Sequence, residues 1–107
     1  MEDNTVVHKG RERIRRTPLE DFKELPKEKQ ENFIRIKEFI CNYYSKEIEV
    51  CVFGSYKHGI WDEQSDYDVL LSDRPDKTNL DELLLQNLNL KVNVLNFKNH
   101  GKLILIP

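Results

Sequence analysis

Between positions 53 and 69 the chain reads Phe-Gly-Ser-Tyr-Lys-His-Gly-Ile-Trp-Asp-Glu-Gln-Ser-Asp-Tyr-Asp-Val, and the residue types that could do chemistry are concentrated there. Gly54-Ser55 follows directly on an apolar, β-branched run, and Gly59 lies four residues on. Glycine lets a backbone turn sharply and approach a ligand with no side chain in the way. If a short helix opens at Ser55, its free amides favour phosphate oxygens, and the Ser55 hydroxyl adds a donor. Asp66 and Asp68 form the second half of the stretch. Two residues apart on a strand, their carboxylates point to one face and converge. Such a pair repels unless a cation relieves it, and Mg²⁺ prefers hard oxygen ligands completed by substrate phosphates. Phosphates at Gly54-Ser55 and metal on Asp66 and Asp68 together describe metal-assisted transfer from a nucleotide.

The elements that must position these residues follow from periodicity. Ile48 to Phe53 predicts a central strand ending at Gly54. Tyr67 to Ser72 predicts a second strand and Leu90 to Phe97 a third, while Leu103 to Ile106 is either a further strand or a docking tail. Thr17-Pro18-Leu19-Glu20 has the form of a capping box and predicts a short helix to about Leu25. Pro26 restarts a longer helix to about Lys46, with Phe33, Ile36, Ile40 and one of Tyr43 or Tyr44 on its buried stripe. Thr78-Asn79-Leu80-Asp81 predicts a second capping box, opening a helix to about Asn87 with Leu80, Leu83 and Leu84 inward. The expected fold class is α/β (α+β), a small mixed sheet with helices packed on it.

Gly-Ser, ten residues, then Asp-x-Asp is the signature of the polymerase-β-like nucleotidyltransferase superfamily. Its four fixed positions arise by chance in about one chain per thousand of this length. Phe-Gly-Ser-Tyr at 53–56 and Ser-Asp-Tyr-Asp-Val-Leu at 65–70 also resemble this family. The resemblance is closest to the minimal nucleotidyltransferases and covers the chain from about Phe33 to Phe97. It implies a nucleotidyltransferase-like fold in which Gly54 and Ser55 hold the triphosphate, and Asp66 and Asp68 bind Mg²⁺. The nucleotide it implies is most often ATP. It also implies a partner, since members often pair with a helical HEPN toxin as antitoxins that move AMP to a toxin tyrosine. The family places a third carboxylate on the next strand. Here that strand reads Lys91-Val92-Asn93-Val94-Leu95, and Asn93 stands at the matching position. Asparagine offers a neutral carbonyl oxygen and cannot accept the proton of an attacking hydroxyl. Two readings follow: a transferase, or a degenerate relative that binds nucleotide or partner without turnover.

Other residues carry weaker signals. Lys57 is placed to reach a triphosphate, with a solvated lysine as the alternative. His58 reads as an exposed loop histidine, and Trp61 as packing beneath the loop rather than a base-stacking platform. His8 and His100 lack metal-ligand spacing. Asp62, Glu63 and Asp73 lie near in sequence, but nothing in the sequence places them as a substitute third carboxylate. Cys41 and Cys51 sit in apolar patterns and read as plain buried thiols.

At 107 residues the chain has the length of one domain, assigned here to residues 17–107 behind a basic arm at 1–16 that is expected to be flexible. Net charge is −2, which argues against a nonspecific nucleic-acid coat. Lys9 to Arg16 nevertheless carries five positive charges and one negative, so RNA or DNA contact by the arm is the weaker alternative to a solvated segment. No stretch approaches the ~18 apolar residues of a membrane span. The N-terminus has no apolar signal-peptide core, and we expect a cytoplasmic protein without membrane partners.

Overall fold

The structure is a computed structural model that describes the backbone of 5–8 and 11–14 and all of residues 17–96 and 101–107. In the arm, where no element was expected, β1 (Thr5–His8) pairs antiparallel with β2 (Arg11–Ile14) as a separate two-stranded sheet. The rest forms one small α+β layer with a mixed sheet, as the pattern predicted. Its sheet contains β3 (Val50–Phe53), β4 (Tyr67–Leu71), β5 (Val92–Asn96) and β6 (Ile104–Leu105), in the order β5-β4-β3-β6. Strand β3 runs antiparallel to both β4 and β6, and β4 runs parallel to β5. That parallel pair needs a crossover, and α3 (Leu80–Leu88) supplies it. Of the two alternatives left for the C-terminal segment, the strand is the one adopted, with Ile104 opposite Val52. Phe97, the expected end of β5, lies outside the described residues, as does His100.

Helix α1 (Lys27–Tyr44) begins after Pro26 and ends at Ser45, which turns left-handed at φ 51° and bonds back to Asn42 and Cys41. Its predicted stripe is correct: Phe33, Ile36 and Ile40 are fully buried, Tyr44 packs at the edge and Tyr43 is exposed. Both predicted capping boxes shift. Leu25 precedes Pro26 and is pushed to extended backbone, which leaves room only for a 3-10 turn at Phe22–Glu24. Asp21, not Thr17, caps that turn, accepting from Lys23 N at 2.8 Å. In α3 the cap is Asn79, accepting from Glu82 N, rather than Thr78. This moves Asp81 off the cap and frees its carboxylate for other use.

Alternation along the strands divides the sheet. Val50, Val52, Val69, Leu71, Val92, Val94 and Ile104 face the helices and join one core with Phe33, Ile36, Ile40, Leu80 and Leu84. The opposite face carries the chemistry. Register sets Phe53 opposite Asp68 and Asp68 beside Asn93, so three adjacent strands present these side chains abreast. No helix among the described residues is long and apolar enough to cross a membrane.

Candidate functional site

Gly54 ends β3 and opens α2 (Gly54–His58), a single turn. It sits at φ 66°, a backbone conformation that L side chains rarely adopt. A Cβ built there would lie 2.0 Å from Asp68 Oδ2 and 2.8 Å from Asp68 Cβ and Cγ. The glycine is therefore required twice, by its own backbone and by the carboxylate pressed against it. Gly59 has a different use from the one its spacing suggested. At φ 75° it terminates α2, with its N–H returned to Ser55 O, and so ends the turn rather than exposing backbone to a ligand. The Ser55 hydroxyl is half-buried and has no partner among the described residues.

Asp68 lies within β4, and Asp66 lies one residue before its start. The two carboxylates converge on one group: Asn93 Nδ2 donates to Asp68 Oδ1 at 2.8 Å and to Asp66 Oδ2 at 3.3 Å. Asn93 thus stands in register with Asp68 and faces the same cleft, as the strand alignment required. Burial pushes the Asp68 carboxyl above its ordinary range; the Asn93 bond pulls it back, and the charges of Asp66 and Asp81 push it up again. Asp81 was not legible as part of this neighbourhood. Read as a capping residue, it instead reaches across to β5 and accepts from Val94 N at 2.9 Å, one residue beyond Asn93. Asp81 and Asn93 also line an open groove of about 500 Å³ between α3 and β5, with Leu85 and Val92 among its apolar walls.

Behind the aspartates the packing is aromatic. Tyr67, flanked by Asp66 and Asp68, stacks on Tyr56 at 5.1 Å, and Tyr56 stacks on Trp61 at 5.2 Å. Phe33 closes edge-on against both tyrosines, and the Tyr67 hydroxyl accepts from Asn32 Nδ2 at 2.7 Å. Lys29 is buried over the same two rings. This stack fixes the strand start that carries the carboxylates, and it gives Trp61 the packing role expected of it. Burial pushes the Tyr56 phenol up, so it stays neutral.

The remaining candidates divide. Lys57 is buried rather than solvated, its ammonium 5.5 Å from the centroid of Phe53, the ladder neighbour of Asp68. His58 is exposed beside the same ring. Asp62 shapes the loop into Asp66, accepting from Gln64 N at 2.8 Å and Ser65 Oγ at 3.3 Å. Asp73 lies two residues past the end of β4, at the opposite end of the strand from Asp68, and pairs there with Lys46. Both cysteines are free thiols; Cys51 is buried and Cys41 half-buried.

The mixed sheet thus presents two carboxylates with one of them packed against the glycine of a glycine-serine turn. Residues 33–100 match the nucleotidyltransferase domain family of the polymerase-β-like superfamily, and the chain belongs to it. Neither the curated proteins nor the solved structures contain a match to this chain.

Proposed function

We propose that the protein binds a nucleoside triphosphate, most readily ATP, with Mg²⁺ and transfers the nucleoside monophosphate to a hydroxyl on a protein partner, with pyrophosphate leaving and the hydroxyl proton lost to solvent. The observation that carries this is the convergence of Asp66 and Asp68 on Asn93, with Asp68 packed against Gly54 at the turn that Ser55 continues. The donor set fits a divalent cation: two hard carboxylate oxygens converge, and Asp68 is held in a position where its charge is costly without one. Bound there, the cation would neutralise triphosphate charge as the phosphoryl bond is exchanged. Asp66 and Asp68 would hold it, and Ser55 would donate to a phosphate oxygen. Gly54 lets Asp68 come close, and Lys57 adds positive charge on the Phe53 side. The acceptor we propose is a tyrosine hydroxyl on a helical HEPN-type toxin, which makes the chain the antitoxin of a cytoplasmic pair; the sequence resemblance supports this choice of partner.

A second reading is favoured by one residue. Asn93 cannot take the acceptor's proton, so nucleotide and partner binding without turnover is the alternative. Incubation of the full chain with Mg²⁺, α-labelled ATP and the toxin partner separates the two. Label on the partner's tyrosine supports transfer. Mg²⁺-dependent nucleotide binding with no label on the partner supports the binding module.

A further inference from the structure

Asn93 is placed in register with Asp68, and its amide nitrogen donates to both carboxylates. An NH₂ group has two hydrogens, enough for one on each. An aspartate at this position would add a third negative charge to two that already repel. The asparagine instead draws them together by donation. Resting on the cation reading above, we infer that Asn93 is a positioning residue that sets this site to a single divalent cation.

The reason is electrostatic. Two carboxylates balance one divalent ion, and ions of the Mg²⁺ type are held by one or two carboxylates completed by phosphate oxygens and water. A second ion needs further negative oxygen, and Asn93 turns N–H groups toward the carboxylates where a third carboxylate would stand. Among the described residues, no group of three or more Asp, Glu, His or Cys side chains gathers closely enough to hold a metal. Asp81, whose charge Asp68 feels, has one carboxylate oxygen held by the Val94 amide at 2.9 Å. The described residues therefore offer the ligands for one ion and a clasp that keeps them convergent before it arrives.

The test counts ions and does not depend on turnover. Full-length protein is dialysed to equilibrium against Mn²⁺ and a non-hydrolysable ATP analogue, and the Mn²⁺ retained per chain is measured. Wild type should retain one ion. Asn93→Asp should retain two, with the spin coupling of a paired Mn²⁺ centre in its electron paramagnetic resonance spectrum. Asn93→Ser, which removes the amide and adds no charge, should stay at one. If the aspartate variant does not fold even with Mn²⁺ present throughout, Asn93→Glu reads the same count. Two ions in wild type or in Asn93→Ser, or only one in the carboxylate variant, would overturn the inference and leave the cation reading standing. No retained ion in any of the proteins would overturn both.

Discussion

Gly54→Ala is the smallest change that should break this site, and its cost can be worked from two separate causes. The first is backbone: an L residue held in the left-handed region costs about 1–2 kcal/mol, and Gly54 sits at φ 66°. The second is contact. The new methyl would lie 2.0 Å from Asp68 Oδ2, and moving a packed neighbour out of the way costs about 1–3 kcal/mol. Together they amount to about 2–5 kcal/mol, a large share of the about 5–15 kcal/mol that holds a domain together. Urea unfolding followed by circular dichroism should therefore show a markedly lower midpoint. In a thermal melt the fall should be about 8 °C or more, at about 4–8 °C per kcal/mol for a domain near this size. A double-mutant cycle separates the two causes. In an Asp68→Ala background the 2.0 Å approach to the carboxylate is gone and only the 2.8 Å approach to Cβ remains, so Gly54→Ala should cost less than in wild type while keeping at least the backbone share of about 1–2 kcal/mol. An alanine variant as stable as wild type would refute the geometry. A cost that is unchanged in the Asp68→Ala background would refute the contact.

Two further outcomes follow from the neighbours of that carboxylate. Asp68 has its folded-state pKa raised above 3.8, first by burial and then by the charges of Asp66 and Asp81. Its favourable contribution is present below the unfolded value and is lost as pH rises through the folded one. Asp68→Asn removes that loss, so in metal-free buffer the variant should gain stability over wild type as pH rises toward neutrality, and the gain should vanish at acid pH. A pH series of urea midpoints with parallel curves would contradict this. Asp81→Ala leaves the Val94 amide without its carboxylate acceptor, at a cost of about 1–3 kcal/mol. Hydrogen exchange at Val94 should quicken while exchange in β3 follows only the global loss of stability.

Much of the architecture was legible because it rests on burial. The stripe of α1, the alternation of β3 to β5 and the leucines of α3 must meet one core, and sequence spacing records that requirement directly. The grouping of Asp68 with Asn93 at the candidate site was legible for a related reason: the register that buries Val69 and Val94 also sets Asp68 beside Asn93. What was missed depends on competition between local groups. Thr17 and Thr78 have the right spacing to cap, yet Asp21 and Asn79 outcompete them, the first because Pro26 shortens the available turn. The role of Asp81 follows from that shift and from a contact across 13 residues of sequence, which no local pattern encodes. Gly59 was read as a ligand-approach residue because terminating a helix and approaching a phosphate both call for glycine.

Binding of ATP measured by isothermal titration calorimetry, with Mg²⁺ and with chelator, tests the central claim most directly. Wild type should bind ATP saturably in Mg²⁺ and lose most of that affinity in chelator, and Asp66→Asn combined with Asp68→Asn should abolish the Mg²⁺-dependent part while the protein stays folded. Equal affinity in wild type and the double variant, or no binding by wild type at millimolar Mg-ATP, would contradict the assignment of these aspartates and Gly54-Ser55 to a nucleotide site.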